Sequence, residues 1–301
     1  RELVNETPTR SPMKALFGLL LLVVGASALK TAPAPALRLR GGMDKTPPEA
    51  YQAFLATGVR QATMPTTQTV LQALLAGGFV ALGAALAMTV GANVPGIKSS
   101  NPGLQKILLG AFGLPWALLM VLLTGGQLFT GNTATITTAL LEGQVTLEQM
   151  LKNLVLSYFG NFAGGLTVVY LLGAAGLTTP GAAAVAVAKT SLPFMQALIR
   201  GFLCNWMVCI AIWQAYCATT VAGKYISVFF TISSFVALGF EHSVANMAMI
   251  PLGMLNGADI SVAKFLTSNL IPVTIGNMLA GSIVVGTAYY YIHGSGKKSS
   301  A

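Results

Sequence analysis

The chain has 301 residues, of which 8% are charged and 54% are hydrophobic, and its mean hydropathy is +0.71. Soluble domains carry about 25% charged residues, so this composition excludes an ordinary water-soluble fold and a disordered chain. Of the formal charge of +9, residues 1–60 carry +4 and the remaining 241 residues carry +5; the charges of the latter are scattered and form no basic stripe, so we expect no nucleic-acid partner.

The N-terminal region carries features of targeting sequences. Residues 13–28 combine a start methionine and a lysine with an apolar stretch and an Ala-Ser-Ala motif, the pattern of a secretory signal peptide. The segment over 29–60 begins as a basic, acid-free stretch typical of a transit peptide. We assign residues 1–12 to an extension of the gene model.

Together, the signal and transit-like segments resemble the bipartite plastid presequence of algae with secondary plastids. This resemblance predicts an integral protein of the plastid envelope. The alternative is a plain signal peptide or signal anchor, which would direct the protein to the plasma membrane.

Six long intervals of the sequence contain almost no charge, and each exceeds the roughly 20 apolar residues that cross a bilayer. We therefore predict an all-α membrane protein, surrounded by lipid, with one transport domain over 61–292 and a polar tail over 293–301. The predicted membrane segments are 68–91, 106–140, 150–175, 194–216, 225–256 and 265–291.

The second and fifth segments are too long for one straight helix. Residues 107–141 would form a helix of about 52 Å, against a hydrocarbon core of about 30 Å. Glycine and polar residues interrupt both segments, at 125–133 and 239–246. Irregular backbone survives at membrane depth only beside protein or a water-filled cavity. We predict broken helices whose breaks line a pathway; the alternative is a helix followed by a long loop outside the membrane.

Short echoes in the sequence indicate an internal repeat. The string GNFAGG at 160–165 resembles GNMLAG at 276–281, and AGGF at 76–79 resembles IRGF at 199–202. Because each half then contains three spans, the two halves must be inverted in the bilayer. Inverted repeats with one broken helix each are the architecture of transporters and channels with a site near the midplane.

Glu241 and His242 form the ionisable pair in the break of the fifth segment. Ionisable groups at membrane depth are costly and mark functional sites. A neutral imidazole can donate one hydrogen bond and accept another, and histidine can pass a proton near neutral pH. We therefore interpret His242 as a central proton relay that Glu241 orients. The alternative is a buried histidine with a purely structural role.

Three further polar residues are candidates for the pathway. Thr130 and Asn132 offer a hydroxyl and an amide in the first break, although Thr130 could equally be a helix cap. Lys189 precedes the fourth segment, where it could draw anions into a vestibule or extend to the membrane interface.

The sequence contains no set of residues typical of an enzyme. It has no HExxH motif, no phosphate-binding loop and no Ser/His/Asp set. Cys204, Cys209 and Cys217 lack the spacing and the histidine partners of a zinc site, and they do not indicate a disulfide framework. We expect no catalysis, no cofactor and no bound metal.

Four strings together resemble the formate/nitrite transporter family over about residues 50–292. They are LFTGN at 128–132, Lys189 with Asn205 sixteen residues later, GFEHSVANM at 239–247, and NLIPVTIGN at 269–277. The resemblance implies a homopentamer with one pore in each protomer, an aquaporin-like fold, and small monovalent anions such as formate, nitrite or lactate.

The resemblance also assigns roles to individual residues. Thr130 matches the threonine of the first break, His242 the central histidine, and Lys189 the vestibule lysine. The remaining matches are the constriction pair Leu118 and Phe129, the constriction pair Val208 and Phe235, and the inward-facing asparagines Asn205 and Asn277. Gln127 departs from the pattern, since many family members carry glutamate there.

We therefore expect transmembrane transport of a small monovalent anion, nitrite or formate, coupled to a proton through His242. The alternative is a neutral-solute channel of the aquaporin class, which would carry paired NPA motifs that this sequence lacks. An intramembrane enzyme built on His242 would need a nucleophile or a metal partner, and no candidate has a suitable spacing.

Overall fold

The computed structural model describes residues 44–177 and 179–294. The expected gene-model extension over 1–12, the signal peptide over 13–28, residues 29–43 of the transit-like segment and residues 295–301 of the C-terminal tail lie outside the described residues. Every regular element among the described residues is helical.

Twelve helices, α1 to α12, follow one another along the described part of the chain. In order, they are Pro47–Thr63, Thr66–Gly91, Pro95–Ser100, Pro102–Ala111, Leu114–Thr124, Phe129–Leu141, Leu147–Ala174, Gly181–Thr190, Phe194–Cys217, Val221–Ala237, Ser243–Leu255 and Val262–His293. The last helix, α12, contains two π-helical stretches, Leu266–Leu270 and Ala280–Thr287.

Five helical stretches are long and apolar enough to cross a membrane: α2, α4 with α5, α7, α9 and α12. The 17 residues of α10 and the 13 residues of α11 are each too short alone. They follow one another across a break, as α5 and α6 do in the first half. The all-α fold with two broken segments is confirmed, and the order of helices is consistent with six spans.

Two parts of the fold differ from the sequence prediction. The folded domain extends below residue 61, because α1 buries Ala50, Tyr51 and Phe54 in the core. The predicted second segment is also interrupted a second time, at Gly113, whose backbone φ of 111° lies in the region that favours glycine. Hydropathy misses both features, since α1 is amphipathic and Gly113 stands in an apolar run.

The same helix pair forms the framework of each half. Helix α2 packs along α7, and α9 packs along α12. At Gly160, a Cβ would meet Ala73 of α2, and at Gly276 a Cβ would meet the backbone of Leu198 and Gly201 of α9. Small residues allow membrane helices to approach this closely, and the matching contacts indicate that the two halves share one design.

Candidate functional site

The two breaks have the same backbone path. Gly125 follows α5 and Gly239 follows α10 with φ angles of 74° and 73°, which glycine adopts readily. In the first half, the N–H of Gly126 donates to Val121 O at 2.8 Å. In the second half, the N–H of Phe240 donates to Phe235 O at 3.1 Å. The chain therefore turns at equivalent points, and α6 and α11 begin at equivalent points after it.

Asn161 fixes the start of α6. Its Oδ1 accepts the N–H of Phe129 at 2.9 Å, and its Nδ2 donates to the carbonyls of Ala73 and Gln127, both at 2.8 Å. One buried side chain thus joins α7, α2 and the loop that precedes α6.

Asn277 does the same for α11. Its Oδ1 accepts the N–H of Ser243 at 2.8 Å, and its Nδ2 donates to Gly201 O at 2.7 Å and to Glu241 O at 3.1 Å. The similar strings at 160–165 and 276–281 therefore contain two equivalent asparagines. Each one fixes the start of a half-helix, and we call each asparagine with its three hydrogen bonds a clamp.

These bonds also show which residues of the two halves are equivalent. They correct the alignment of residues 76–79 with residues 199–202 that the sequence suggested. Asn161 donates to Ala73, whereas Asn277 donates to Gly201, so these two positions are equivalent. The echo between 76–79 and 199–202 was wrong by five residues. In both halves the asparagine donates to a backbone carbonyl, which every residue type has. The side chains at these two positions therefore need not resemble each other, and a sequence comparison cannot align them.

The N-termini of α6 and α11 meet at the contact between Thr130 and His242. Thr130 Oγ1 lies 2.9 Å from His242 Nε2, and both residues are buried. His242 Nδ1 accepts the N–H of Ala245 at 3.0 Å as the N-cap of α11. Because Nδ1 accepts, the neutral ring carries its hydrogen on Nε2, which therefore donates to Thr130.

The electrostatics of this junction favour a negative charge. Each helix N-terminus carries a partial positive charge, since its first N–H groups lack partners within the helix. Helices α6 and α11 direct two such ends at one point, where the Nε2–H of His242 is also a donor. The arrangement offers donors and positive potential without a formal charge on either half-helix.

A buried ion pair lies beside the junction. Lys189 Nζ donates to Glu241 Oε1 at 3.1 Å and to Oε2 at 3.2 Å, and the side chains are 16% and 4% exposed. Asn246 and Asn269 also donate to Oε2, at 2.7 and 3.0 Å. Buried charges are tolerated where they are paired and hydrogen-bonded, and here both conditions hold.

Three cavities lie in series through the described part of the chain. The first, about 260 Å³, is the lysine mouth, and its charged lining residues are Lys98, Lys189, Arg200 and Glu241. The last, about 30 Å³, is the glutamine mouth, lined by Arg60 and Gln61 among others.

A central chamber of about 20 Å³ lies between the two mouths. It shares Phe235 and His242 with the lysine mouth, and Leu118 and Leu128 with the glutamine mouth. The chamber is lined by Val80, Leu114, Leu118, Leu128, Val208, Ile232, Phe235 and His242. The two narrow points of the path therefore lie at Phe235 and at the two leucines.

A family model described as formate/nitrite transporter matches residues 48–291. The chain belongs to the formate/nitrite transporter family. A probable formate transporter of Methanothermobacter thermautotrophicus is 34% identical over 274 residues, covering 84% of this chain and 98% of that protein. The nitrite transporter NirC of Escherichia coli K12 is 35% identical over 224 residues, covering 72% of this chain and 80% of that protein.

A solved structure described as a pentameric formate channel with formate bound has a TM-score of 0.66 and 27% identity to this chain, covering 76% of it and 97% of that structure. The family resemblance of the sequence is thus confirmed. The chain is a multi-pass membrane protein of a transporter family, and the aquaporin alternative is not favoured.

In this member of the family, the residues expected at the constrictions divide into two groups. Leu118, Val208 and Phe235 line the central chamber. Phe129 lines none of the three cavities, because its ring packs edge-on against Tyr158 with centroids 4.9 Å apart. The neighbouring Leu128 lines the chamber instead, and only the tertiary structure distinguishes the two adjacent apolar residues.

Asn205 is brought to the junction but lies behind it. Its Nδ2 donates to Thr130 O at 3.1 Å, to Thr133 Oγ1 at 3.2 Å and to Asn277 O at 2.7 Å. Asn205 and Asn277 line none of the three cavities. In this family member, these bonds let them position the backbone of α6 and α11. Sequence reasoning did not select Asn246 and Asn269, although both lie in the strings that carried the resemblance.

Proposed function

We propose that this protein transports nitrite or formate across a membrane together with a proton. The observation that carries the proposal is the junction of Thr130 and His242, where two helix N-termini and an Nε2–H donor meet between two apolar narrow points. Such a junction can bind an anion at the point where the anion takes up a proton.

The proton follows from the lining of the chamber. All of its lining residues except His242 are apolar, and an unpaired charge in such surroundings is very costly. Formic and nitrous acids are weak acids, and a low-dielectric path favours their neutral forms. We infer that the anion reaches the junction, takes up a proton and crosses the chamber as the neutral acid.

His242 acts in this scheme by holding the anion. Its Nδ1 is occupied by the N–H of Ala245, and loss of the Nε2 hydrogen from a neutral ring would leave a strongly basic imidazolate. The transported proton therefore comes from water in the mouth. In this proposal, His242 donates a hydrogen bond to the anion until that proton arrives, and it returns the bond to Thr130 afterwards.

Uptake of labelled nitrite, formate and lactate into liposomes that contain the purified protein tests the proposal. We expect saturable nitrite and formate uptake, and only slow, non-saturable uptake in liposomes without protein, where the neutral acid crosses the lipid itself. Labelled glycerol is the control for a neutral-solute channel. Glycerol uptake without anion uptake would contradict the proposal and favour the aquaporin-type alternative. We choose nitrite as the first substrate because plastids reduce nitrite, and the N-terminal segments resemble a plastid presequence.

We propose that the protein assembles as a homopentamer, as the pentameric formate channel does. Large apolar residues are exposed along one side of α2, for example Leu71, Leu75, Leu82 and Leu86, which must face lipid or another protomer. Native mass spectrometry in mild detergent should give a mass of five chains. A spectrum with only monomers or dimers would contradict this prediction.

We propose the plastid envelope as the final membrane, with the plasma membrane as the alternative. A fluorescent protein fused behind residues 13–60 should reach the plastid of an algal host. The matched control lacks residues 29–42 and should be retained in the secretory route. Fluorescence of the full fusion at the plasma membrane alone would refute plastid targeting and leave the transport proposal unaffected.

A further inference from the structure

Gln61 and Lys189 occupy equivalent positions in the two halves. Each stands four residues before a proline that precedes a membrane helix, Pro65 before α2 and Pro193 before α9. The backbone carbonyls of both residues accept a hydrogen bond from an asparagine, Asn153 or Asn269, at 2.8 and 2.9 Å.

In the first half, two asparagines and two glutamines form a closed network. Asn132 Nδ2 donates to Gln127 Oε1 at 2.7 Å and to Asn153 Oδ1 at 2.8 Å. Asn153 Nδ2 donates to Gln61 O at 2.8 Å and to Gln127 Oε1 at 3.2 Å. All four side chains are buried.

In the second half, the same bonds join different residues. Asn246 Nδ2 donates to Glu241 Oε2 at 2.7 Å and to Asn269 Oδ1 at 2.8 Å. Asn269 Nδ2 donates to Lys189 O at 2.9 Å and to Glu241 Oε2 at 3.0 Å. Every bond of the first network has a counterpart here, so Gln127 corresponds to Glu241.

The two networks differ in charge and in what the side chains at the positions of Gln61 and Lys189 contact. The second half places the Lys189 ammonium against the Glu241 carboxylate. In the first half, Gln127 Nε2 faces the thioether of Met64 at 3.4 Å, and Gln61 Oε1 accepts the hydroxyl of Thr135 at 2.6 Å. The first half thus keeps the scaffold of the site and replaces its ion pair by two neutral amides.

The two mouths differ in size and in charge in the same sense as the two networks. The lysine mouth has about 260 Å³, and three cations and one carboxylate line it. The glutamine mouth has about 30 Å³, and its charged lining residue in the described chain is Arg60, which is exposed to solvent. Charge that lies in a cleft with apolar walls acts on an anion more strongly than exposed charge.

We propose that Lys189 and Glu241 form an anion-capture site that only one mouth possesses, so that the protein binds its substrate with different affinity from its two sides. An ammonium has three N–H donors, and the two bonds to Glu241 leave one for an incoming anion. The carboxylate keeps this binding weak enough for release, as conduction requires. This inference rests on the proposed anion transport and adds a direction to it.

Thermodynamics restricts the form of the asymmetry. For transport without a membrane potential and at equal pH, the two one-way fluxes must be equal when the substrate concentrations are equal. The ratio of maximal rate to KM is therefore the same from both sides. A lower KM at the lysine mouth must therefore be accompanied by a proportionally lower maximal rate, and only the dependence of the KM ratio on salt and on the charge of Lys189 and Glu241 identifies its cause.

The test is uptake of labelled nitrite into proteoliposomes in which all protein has one orientation, prepared once in each orientation. We expect the KM from the lysine mouth to be about three- to tenfold lower than from the glutamine mouth. The ratio should approach one as added salt screens the charge. The double variant Lys189→Gln with Glu241→Gln should remove the asymmetry at low salt.

The matched variant is Gln61→Lys with Gln127→Glu, which copies the ion pair into the first half. It should lower the KM from the glutamine mouth towards that of the other side. Gln127→Glu alone serves as the unpaired control, since it buries a carboxylate against the Met64 thioether. If the matched variant does not assemble, the wild type and the neutral double variant still decide the question.

The outcomes separate this inference from the proposed function. Absence of uptake from both sides would contradict anion transport itself. Uptake with equal KM values from both sides at low salt would overturn the inference and leave transport intact. The same would follow if the asymmetry persisted unchanged in the neutral double variant.

Discussion

Replacement of His242 by asparagine is expected to lower nitrite uptake strongly at every pH, while the rise in uptake towards acidic pH that bulk protons cause remains. In the wild type, uptake should rise as external pH falls and should carry little current, because the anion crosses as its neutral acid. Asparagine is a good N-cap, so it can still accept the N–H of Ala245 while it loses the Nε2–H that reaches Thr130. We expect uptake at acidic pH to fall at least about tenfold, as for loss of one well-placed donor in a buried site.

The second histidine of the chain provides the control. His293 lies at the end of α12, stacked on Trp213 with centroids 5.6 Å apart, and it lines none of the three cavities. His293→Asn should retain the uptake rate of the wild type at each pH. Uptake and current would be measured together in proteoliposomes under a clamped potential. A strong, pH-independent nitrite current in the wild type, unchanged in His242→Asn, would refute the role of His242 and the coupled proton.

Asn161→Leu and Asn277→Leu should each prevent most of the protein from folding. Each substitution leaves a buried backbone N–H and two buried carbonyls without their partner. An unpaired buried group costs about 1–3 kcal/mol, against a total stability of about 5–15 kcal/mol for a typical protein. The yield of monodisperse protein in size-exclusion chromatography and its melting temperature would measure the loss.

The pair of variants also separates structure from transport. Because the two clamps make equivalent bonds, their losses should be similar. If Asn277 instead acted only by contacting the substrate, Asn277→Leu would fold normally and lose uptake, whereas Asn161→Leu would still fold poorly. That result would contradict the structural role that the hydrogen bonds assign to Asn277.

The sequence predicted those features that depend on composition. Long apolar intervals indicated the spans, and glycine with polar residues at 125–133 and 239–246 indicated the breaks, because both signals are local. The repeated Gly-Asn strings revealed the internal repeat for the same reason, but the role of the two asparagines as clamps emerged only from their hydrogen bonds.

The rest depends on contacts between distant parts of the chain. Leu128 and Phe129 are adjacent and apolar, and only the turn after Gly125 decides that Leu128 faces the chamber while Phe129 packs on Tyr158. The equivalence of Gln61 with Lys189 was equally hidden, because their side chains differ and their shared feature is a backbone carbonyl.

The small volume of the central chamber limits the leakage of protons across the membrane. A cavity needs about 10–15 Å³ to hold one water molecule, so a chamber of about 20 Å³ holds about one. Protons move through water by hopping along an unbroken file of hydrogen-bonded molecules, and a single molecule between apolar walls breaks that file. In the absence of substrate, the protein should therefore not conduct bare protons, and a cell can keep many copies of it in an energised membrane.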